Sequence, residues 1–350
     1  MNVFLKEFVK LIFTNLFILF SFVVLVELFF GYWFDKDNFG PYLREHRMKN
    51  QPSIYINNNK TYKFNYRRNY YGFRGEDMEP SEIEAIIMGG SVVDERYKPD
   101  QFTITGYLNK NLKKNGYKTK IINAGIEAQS TVGIIYNFDN WFTKLKEFYP
   151  KTILYYIGIN DLQLPEIITA NTIGQGHVLN PEKLEVFFDN IKSRSFLYDS
   201  IRIFKFKYLP RKNFVKYDGN VDPNLKENFN FISYESAINK YDIKALKSKY
   251  DKKINNYLSR VDTLFEKAKK LNSNPIFITN IGSNGHSEQL YIFNYSLIKH
   301  CEKKKYNCID LAKKVKGKYT YWRGEAHTTK EGSELIANLI TEDLLKFIKK

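Results

Sequence analysis

Cysteine and histidine are scarce in this 350-residue sequence, and their scarcity excludes whole classes of chemistry. The two cysteines, Cys301 and Cys308, have no second pair and no histidine at ligand spacing, so they make no zinc pattern. Their spacing leaves two readings open: a disulfide in an oxidising compartment, or two unrelated thiols. Five histidines, at positions 46, 177, 286, 300 and 327, leave few candidates for a catalytic base. Acidic residues are also in deficit, 38 against 54 Lys and Arg, giving a formal charge of +16. The lysines are scattered rather than gathered into a basic tail, which describes a solvated surface better than an anion-binding patch. No recognition-helix signature or RNP-like aromatic pattern accompanies the charge, so nucleic acid is not an expected partner. No cofactor-binding motif or internal repeat is present, and neither a metal nor an organic cofactor is expected.

Apolar and aromatic residues are abundant, at 43% and 16%, with 28 Phe and 26 Tyr, enough to bury a sizeable core. Residues 11–34, LIFTNLFILFSFVVLVELFFGYWF, form a 24-residue apolar run with the single charge Glu27, long enough to cross a bilayer as a helix. The run is too long for a typical signal-peptide core, and no A-x-A-like cleavage site follows it. Residues 1–10 are then a short tail and 11–34 a transmembrane anchor. Glu27 is costly at bilayer depth unless it lies near the interface, stays protonated or meets a partner helix. Lys6 and Lys10 precede the run, against Lys36, Arg44, Arg47 and Lys49 after it, so the positive-inside rule does not by itself place the rest of the chain outside.

Residues 35–80 are polar, aromatic and irregular, a connecting arm packed on the following domain. From residue 81 strand-like and helix-like stretches alternate. Strands are expected at Ile83–Met88, Lys118–Ala124, Thr152–Ile159, Ile276–Ile281 and Asn307–Leu311. Helices are expected at Thr103–Asn115, Thr131–Phe148, about Gln289–Lys305 and Glu331–Lys350. That alternation predicts βαβ units and a parallel sheet covered by helices on both faces over residues 81–350. Residues 162–242 interrupt the rhythm, with the basic-aromatic stretch SIRIFKFKYLPRK at 200–212, and read either as a lid or as a variable surface excursion.

Four short pieces could carry chemistry, and three of them directly follow expected strands, where parallel sheets bind ligands. Gly89-Gly90-Ser91 could turn tightly and present a hydroxyl; its plain alternative is an N-capping serine. Asn123-Ala124-Gly125 offers a backbone N–H, or only a turn glycine. Gly158-Ile159-Asn160-Asp161 offers a side-chain amide, or only a turn. Glu325-Ala326-His327-Thr328 places an imidazole before the closing helix, though a lone His is more often structural.

Together, in the order Ser, Gly, Asn, His, the four pieces resemble the blocks of the SGNH (GDSL-type) hydrolase family over roughly residues 71–345, interrupted by 162–242. The lead-in Gly72-Phe73-Arg74-Gly75 resembles that of members encoded beside bacterial surface-polysaccharide genes. The resemblance implies a three-layer α/β/α, flavodoxin-like parallel sheet and a serine esterase or O-acyltransferase with Ser91 as nucleophile and His327 as general base. It implies an oxyanion hole from the N–H groups of Ser91 and Gly125 and the side chain of Asn160. Gly90 stands where GDS-type members have Asp, and Gly324 stands where the last block, Asp-x-x-His, has its acid. Glu325 is then the candidate to orient His327; otherwise Ser91 and His327 work as a dyad. The implied substrate is an acylated cell-envelope glycan or related ester. An extracytoplasmic domain follows, and in that compartment a Cys301–Cys308 bridge is favoured. Binding or assembly without chemistry, and attachment of a basic surface to anionic lipid, are the competing readings.

Overall fold

The computed structural model describes residues 2–34, 49–165, 187–188, 191–192, 194–209 and 213–348. The chain divides into two compact units, residues 1–45 with 181–209, and residues 46–180 with 210–350. Parts of the expected arm (35–48) and of the expected insertion (166–186, 189–190, 193 and 210–212) lie outside the described residues.

The first unit holds the apolar helix Asn2–Phe30, whose stretch Leu5–Phe30 has mean hydropathy 2.4 and is long and apolar enough to cross a membrane. Its end lies four residues before the expected Phe34, because Gly31 closes it on the Glu27 carbonyl. Glu27 has a partner after all, in the helix Phe196–Tyr208. Its carboxylate accepts from Ser195 Oγ (2.7 Å), the N–H groups of Phe196 (3.0 Å) and Leu197 (3.1 Å), and Trp33 Nε1 (3.1 Å). A carboxylate at a helix N-terminus satisfies N–H groups that have no intrahelical acceptor and sits at the positive end of the helix dipole.

Among its described residues the second unit contains eight strands: β1 (Lys49–Asn57), β2 (Lys60–Arg68), β3 (Ala85–Gly89), β4 (Ile121–Asn123), β5 (Thr152–Ile157), β6 (Val215–Asp218), β7 (Asn274–Thr279) and β8 (Asn307–Ile309). Residues 49–68 of the expected irregular arm are in fact a hairpin, with β1 and β2 antiparallel and β6 added in parallel to β1. Its turn, Asn58-Asn59, has φ of 48° and 61°, the left-handed pair a type I′ turn requires and asparagine tolerates. Within the 162–242 stretch the helix Phe196–Tyr208 falls in the unit of the apolar helix, whereas β6 extends this hairpin.

The main sheet is wholly parallel, in the order β4-β3-β5-β7-β8. Counted along this sheet the order is second, first, third, fourth, fifth, the flavodoxin-like arrangement. Central β5, TILYYI, is buried at every position, which is why it reads as a continuous apolar run rather than an alternating one. Alternate residues face two helical layers. Ile87, Leu154, Tyr156, Ile276 and Ile278 join one core cluster with Leu108, Ile336 and Ile340 from the paired helices Ile104–Lys114 and Lys330–Leu344. On the other face Tyr155 stacks on Phe277 and donates to the Leu264 carbonyl of the long helix Ile243–Lys270. That helix, which the sequence reading did not single out, also packs against the helices Thr131–Asn140 and Glu288–Lys304. The expected helix through Phe148 stops at Asn140 and continues as a 3₁₀ turn at Phe142–Lys144.

Candidate active site

In this strand order the switch point lies between β3 and β5, where the following chains depart to opposite faces and leave a crevice. The loops after those two strands carry Ser91 and Asn160. Ser91 is the first residue of the four-residue helix Ser91–Asp94, so its N–H has no intrahelical acceptor. Gly90 is required here by close approach: a Cβ at this position would lie 2.0 Å from Asn160 Nδ2. Across the crevice His327 Nε2 is 2.9 Å from Ser91 Oγ, and both residues are half-buried. That contact joins positions 236 residues apart in sequence.

The loop holding His327 is clamped at both ends. Arg323 N–H donates to the His327 carbonyl (2.8 Å), and Thr329 caps the closing helix by accepting from Gly332 N–H (3.2 Å). Tyr97 stands edge-on to the imidazole at 5.5 Å and donates to the Thr328 carbonyl at 3.2 Å. Burial pushes the His327 imidazole below its ordinary pKa, and the nearby Arg323 guanidinium adds to the shift; the Glu95 carboxylate opposes it. A base held neutral at pH 7 is competent to take a serine proton.

Glu325 does not meet His327. Its side chain is exposed, while its carbonyl accepts from Ser283 N–H at 2.7 Å, fixing the loop rather than the imidazole. Among the described residues no carboxylate lies within 4.0 Å of the His327 ring. The arrangement is a Ser–His pair.

The fully buried pair Glu95–Lys98 (2.6 Å) links the two halves of the site, a role the sequence reading missed. Glu95 directly follows the Ser91 helix, in a left-handed conformation at φ 43°. Its carboxylate accepts from Thr328 Oγ1 (3.0 Å), Ser333 Oγ (2.7 Å) and Ile104 N–H (2.5 Å). Lys98 Nζ donates to the carbonyls of Thr328 (3.2 Å) and Thr329 (3.3 Å), and to Ser333 Oγ. The residues just after His327 are thus tied to those just after Ser91.

The lead-in motif has a structural role as well. Arg74 is buried and donates to the carbonyls of Asp94 and of Lys98 (2.6 Å), while its Nε pairs with Asp100 (2.7 Å). Cationic donors at the C-terminal carbonyls of the Ser91 helix are favourable for the same reason as carboxylates at an N-terminus. Arg68, also buried, reaches Asp94 (3.2 Å) and the Gly125 carbonyl (2.8 Å).

Two of the three expected oxyanion donors are placed at the crevice. Asn160 Nδ2 uses one N–H on the Gln129 carbonyl (2.8 Å), and its second remains for a ligand. The Gly125 N–H is instead directed at Asn123 Oδ1 (2.9 Å), and the glycine packs where a Cβ would meet Asp94 N at 2.5 Å. Close packing requires a glycine at this position. The same loop carries Ala128 in a left-handed conformation, φ 57°, next to the Gln129 carbonyl that holds Asn160. Non-glycine residues in that region concentrate at functional sites, and no sequence signal marks this alanine.

The other described histidines have structural partners: His286 Nε2 meets the Ala312 carbonyl (3.0 Å), and His300 pairs with Asp262 (2.6 Å). Below Asn160, buried Asp161 holds Thr131 and Arg260, and its desolvation raises its pKa against the pull of that guanidinium.

No protein-family model matches the chain, and no curated protein matches it. Among solved structures it is similar to TesA, at 10% identity and a TM-score of 0.44, covering 75% of this chain and 99% of that one. It is similar to the psychrotrophic esterase EstA from Pseudoalteromonas sp., at 12% identity and a TM-score of 0.42, covering 75% and 98%. The acetyl xylan esterase AlAXEase is similar at 11% identity and a TM-score of 0.41, covering 76% and 100%. At these identities the chemistry of this chain rests on its own site.

Proposed function

We propose that the protein is a serine esterase or O-acyltransferase working through a Ser91–His327 pair. The 2.9 Å contact between Ser91 Oγ and His327 Nε2, at the switch point of a parallel sheet, carries the reading. Ser91 Oγ attacks the acyl carbonyl carbon as its proton passes to His327 Nε2. The developing oxyanion is met by the Ser91 N–H and the second N–H of Asn160. Collapse expels the alkoxide, which takes the proton from His327 and leaves as an alcohol. Water, or a second hydroxyl, then attacks the acyl-enzyme by the reverse route; the acceptor alone separates hydrolysis from transfer.

The acyl donor in this reading is an acylated cell-envelope glycan or a related small ester, met by an extracytoplasmic domain held at the membrane by its apolar helix. The Cys301–Cys308 disulfide supports an oxidising compartment. The direct test is p-nitrophenyl acetate hydrolysis by the full chain in detergent, with Ser91→Ala and His327→Ala alongside. Loss of both by roughly 10³-fold or more is expected. The missing carboxylate partner of His327 favours one other reading, a glycan-binding protein without turnover. Folded wild type that is inert on both the aryl ester and an O-acetylated glycan, yet binds the glycan, would establish it.

A further inference from the structure

The helix Phe196–Tyr208 presents an apolar face that is exposed among the described residues. Ile201, Phe204 and Tyr208, at i, i+3 and i+7, are 55%, 54% and 67% exposed, and Leu209 follows at 61%. The charges beside this stripe are of one sign: Lys205 and Lys207 are exposed, whereas the helix's one acid, Asp199, is buried. An apolar stripe flanked by lysines is the composition of a helix lying in a membrane interface.

The place where this helix starts supplies the second observation. Its first turn is bonded to Glu27, in the last turn of the apolar helix, and the Tyr32 N–H donates to the Arg194 carbonyl at 2.8 Å. Phe30 and Phe196 pack with ring centroids 5.5 Å apart. The 26-residue apolar stretch is roughly 39 Å long, against a hydrocarbon core of about 30 Å, so a centred span carries its last turn to the edge of the headgroup layer. Trp33, donating its indole N–H to Glu27, is an anchor suited to that layer. The helix Phe196–Tyr208 therefore begins at headgroup depth with its apolar face exposed among the described residues.

We infer that this helix lies in the lipid interface beside the end of the membrane span, its Ile201–Phe204–Tyr208 face in the acyl boundary and Lys205 and Lys207 on anionic headgroups. The inference is independent of the ester chemistry at Ser91. It gives the membrane attachment two parts, a span and a surface helix, joined by the Glu27 carboxylate.

The test uses the full chain in phosphatidylcholine vesicles with and without phosphatidylglycerol. An environment-sensitive fluorophore is placed through Ile201→Cys or Phe204→Cys, with Lys113→Cys, exposed in the other unit, as the control. Labels at 201 and 204 are expected to emit to the blue of the control, to be quenched by a nitroxide near the top of the lipid chains, and to resist aqueous iodide. Emission from 204 should shift further in vesicles containing phosphatidylglycerol, and Lys205→Gln with Lys207→Gln should abolish that difference. Iodide quenching at 201 and 204 equal to the control would overturn the inference. So would protection from both quenchers, which would mean cover by protein, such as a second copy. Identical emission in the two lipid compositions would remove the anionic headgroups from it.

Discussion

Removing the Lys98 ammonium tests whether the buried ion pair, rather than a third catalytic acid, holds His327 in place. Lys98→Met keeps the length of the side chain and leaves the Glu95 carboxylate buried without its counter-charge. Both partners are 0% exposed, so no solvent screens the loss. Glu95 would still accept from Thr328, Ser333 and Ile104, but the carbonyls of Thr328 and Thr329 would lose their shared donor. Breaking a buried pair from one side costs about 3–5 kcal/mol. At about 2–4 °C per kcal/mol for a large domain, melting should fall by roughly 6–20 °C. Relaxation of the residues after His327 by about 1 Å would reduce turnover about 10²-fold. Adding Glu95→Gln removes the stranded charge while retaining a polar group, so the double variant should melt above Lys98→Met alone. The assay is melting by circular dichroism in detergent, with ester turnover at a temperature where every variant is folded. A Lys98→Met variant melting within about 2 °C of wild type would refute the argument, as would single effects that simply add in the double variant.

Further outcomes follow from the same geometry. If the proposed mechanism holds, Asn160→Ala should lower kcat about 10²–10³-fold with a smaller change in KM, because that mechanism turns its second N–H to the oxyanion, and steady-state kinetics would show the split. Gly90→Ala should be comparably damaging, because the new methyl occupies the place of Asn160 Nδ2; its φ of −82° is ordinary, so melting should change less than activity. Because burial and Arg323 push the His327 pKa down, the active neutral form persists below pH 6.5 and the acid limb of kcat/KM should lie under that value. Arg323→Met should move that limb upward, read from the pH profile. Glu325→Gln should leave turnover within about threefold of wild type, since its carboxylate is exposed and apart from the imidazole.

Much of this architecture is legible in the sequence because it is locally encoded. A buried parallel strand needs an apolar run such as TILYYI, and a chain leaving its end needs glycine, asparagine or serine, so Ser91 and Asn160 are marked by their own neighbours. His327 is marked by standing ahead of a capped helix. The cost of Glu27 in an apolar run is equally local. By contrast, the hairpin Lys49–Arg68 escaped notice although Asn58-Asn59 and the alternation of β2 carry its signal, because two-stranded pairing is weak until a third strand or a core supports it.

What only the tertiary structure decided are the long-range pairings. The sequence shows that Glu27 needs a partner, but not that residues 195–197 supply it from 168 to 170 positions away. It makes Glu325 the nearest acid to His327 along the chain, whereas folding ties the residues after His327 to Glu95 and Lys98, some 230 residues distant. It offers Gly125 as a donor, whereas packing against Asp94 and the bond to Asn123 give that glycine another task. Local sequence can require that a buried charge or an orphan N–H be satisfied; which distant group satisfies it is set by the sheet order that brings the strand ends together.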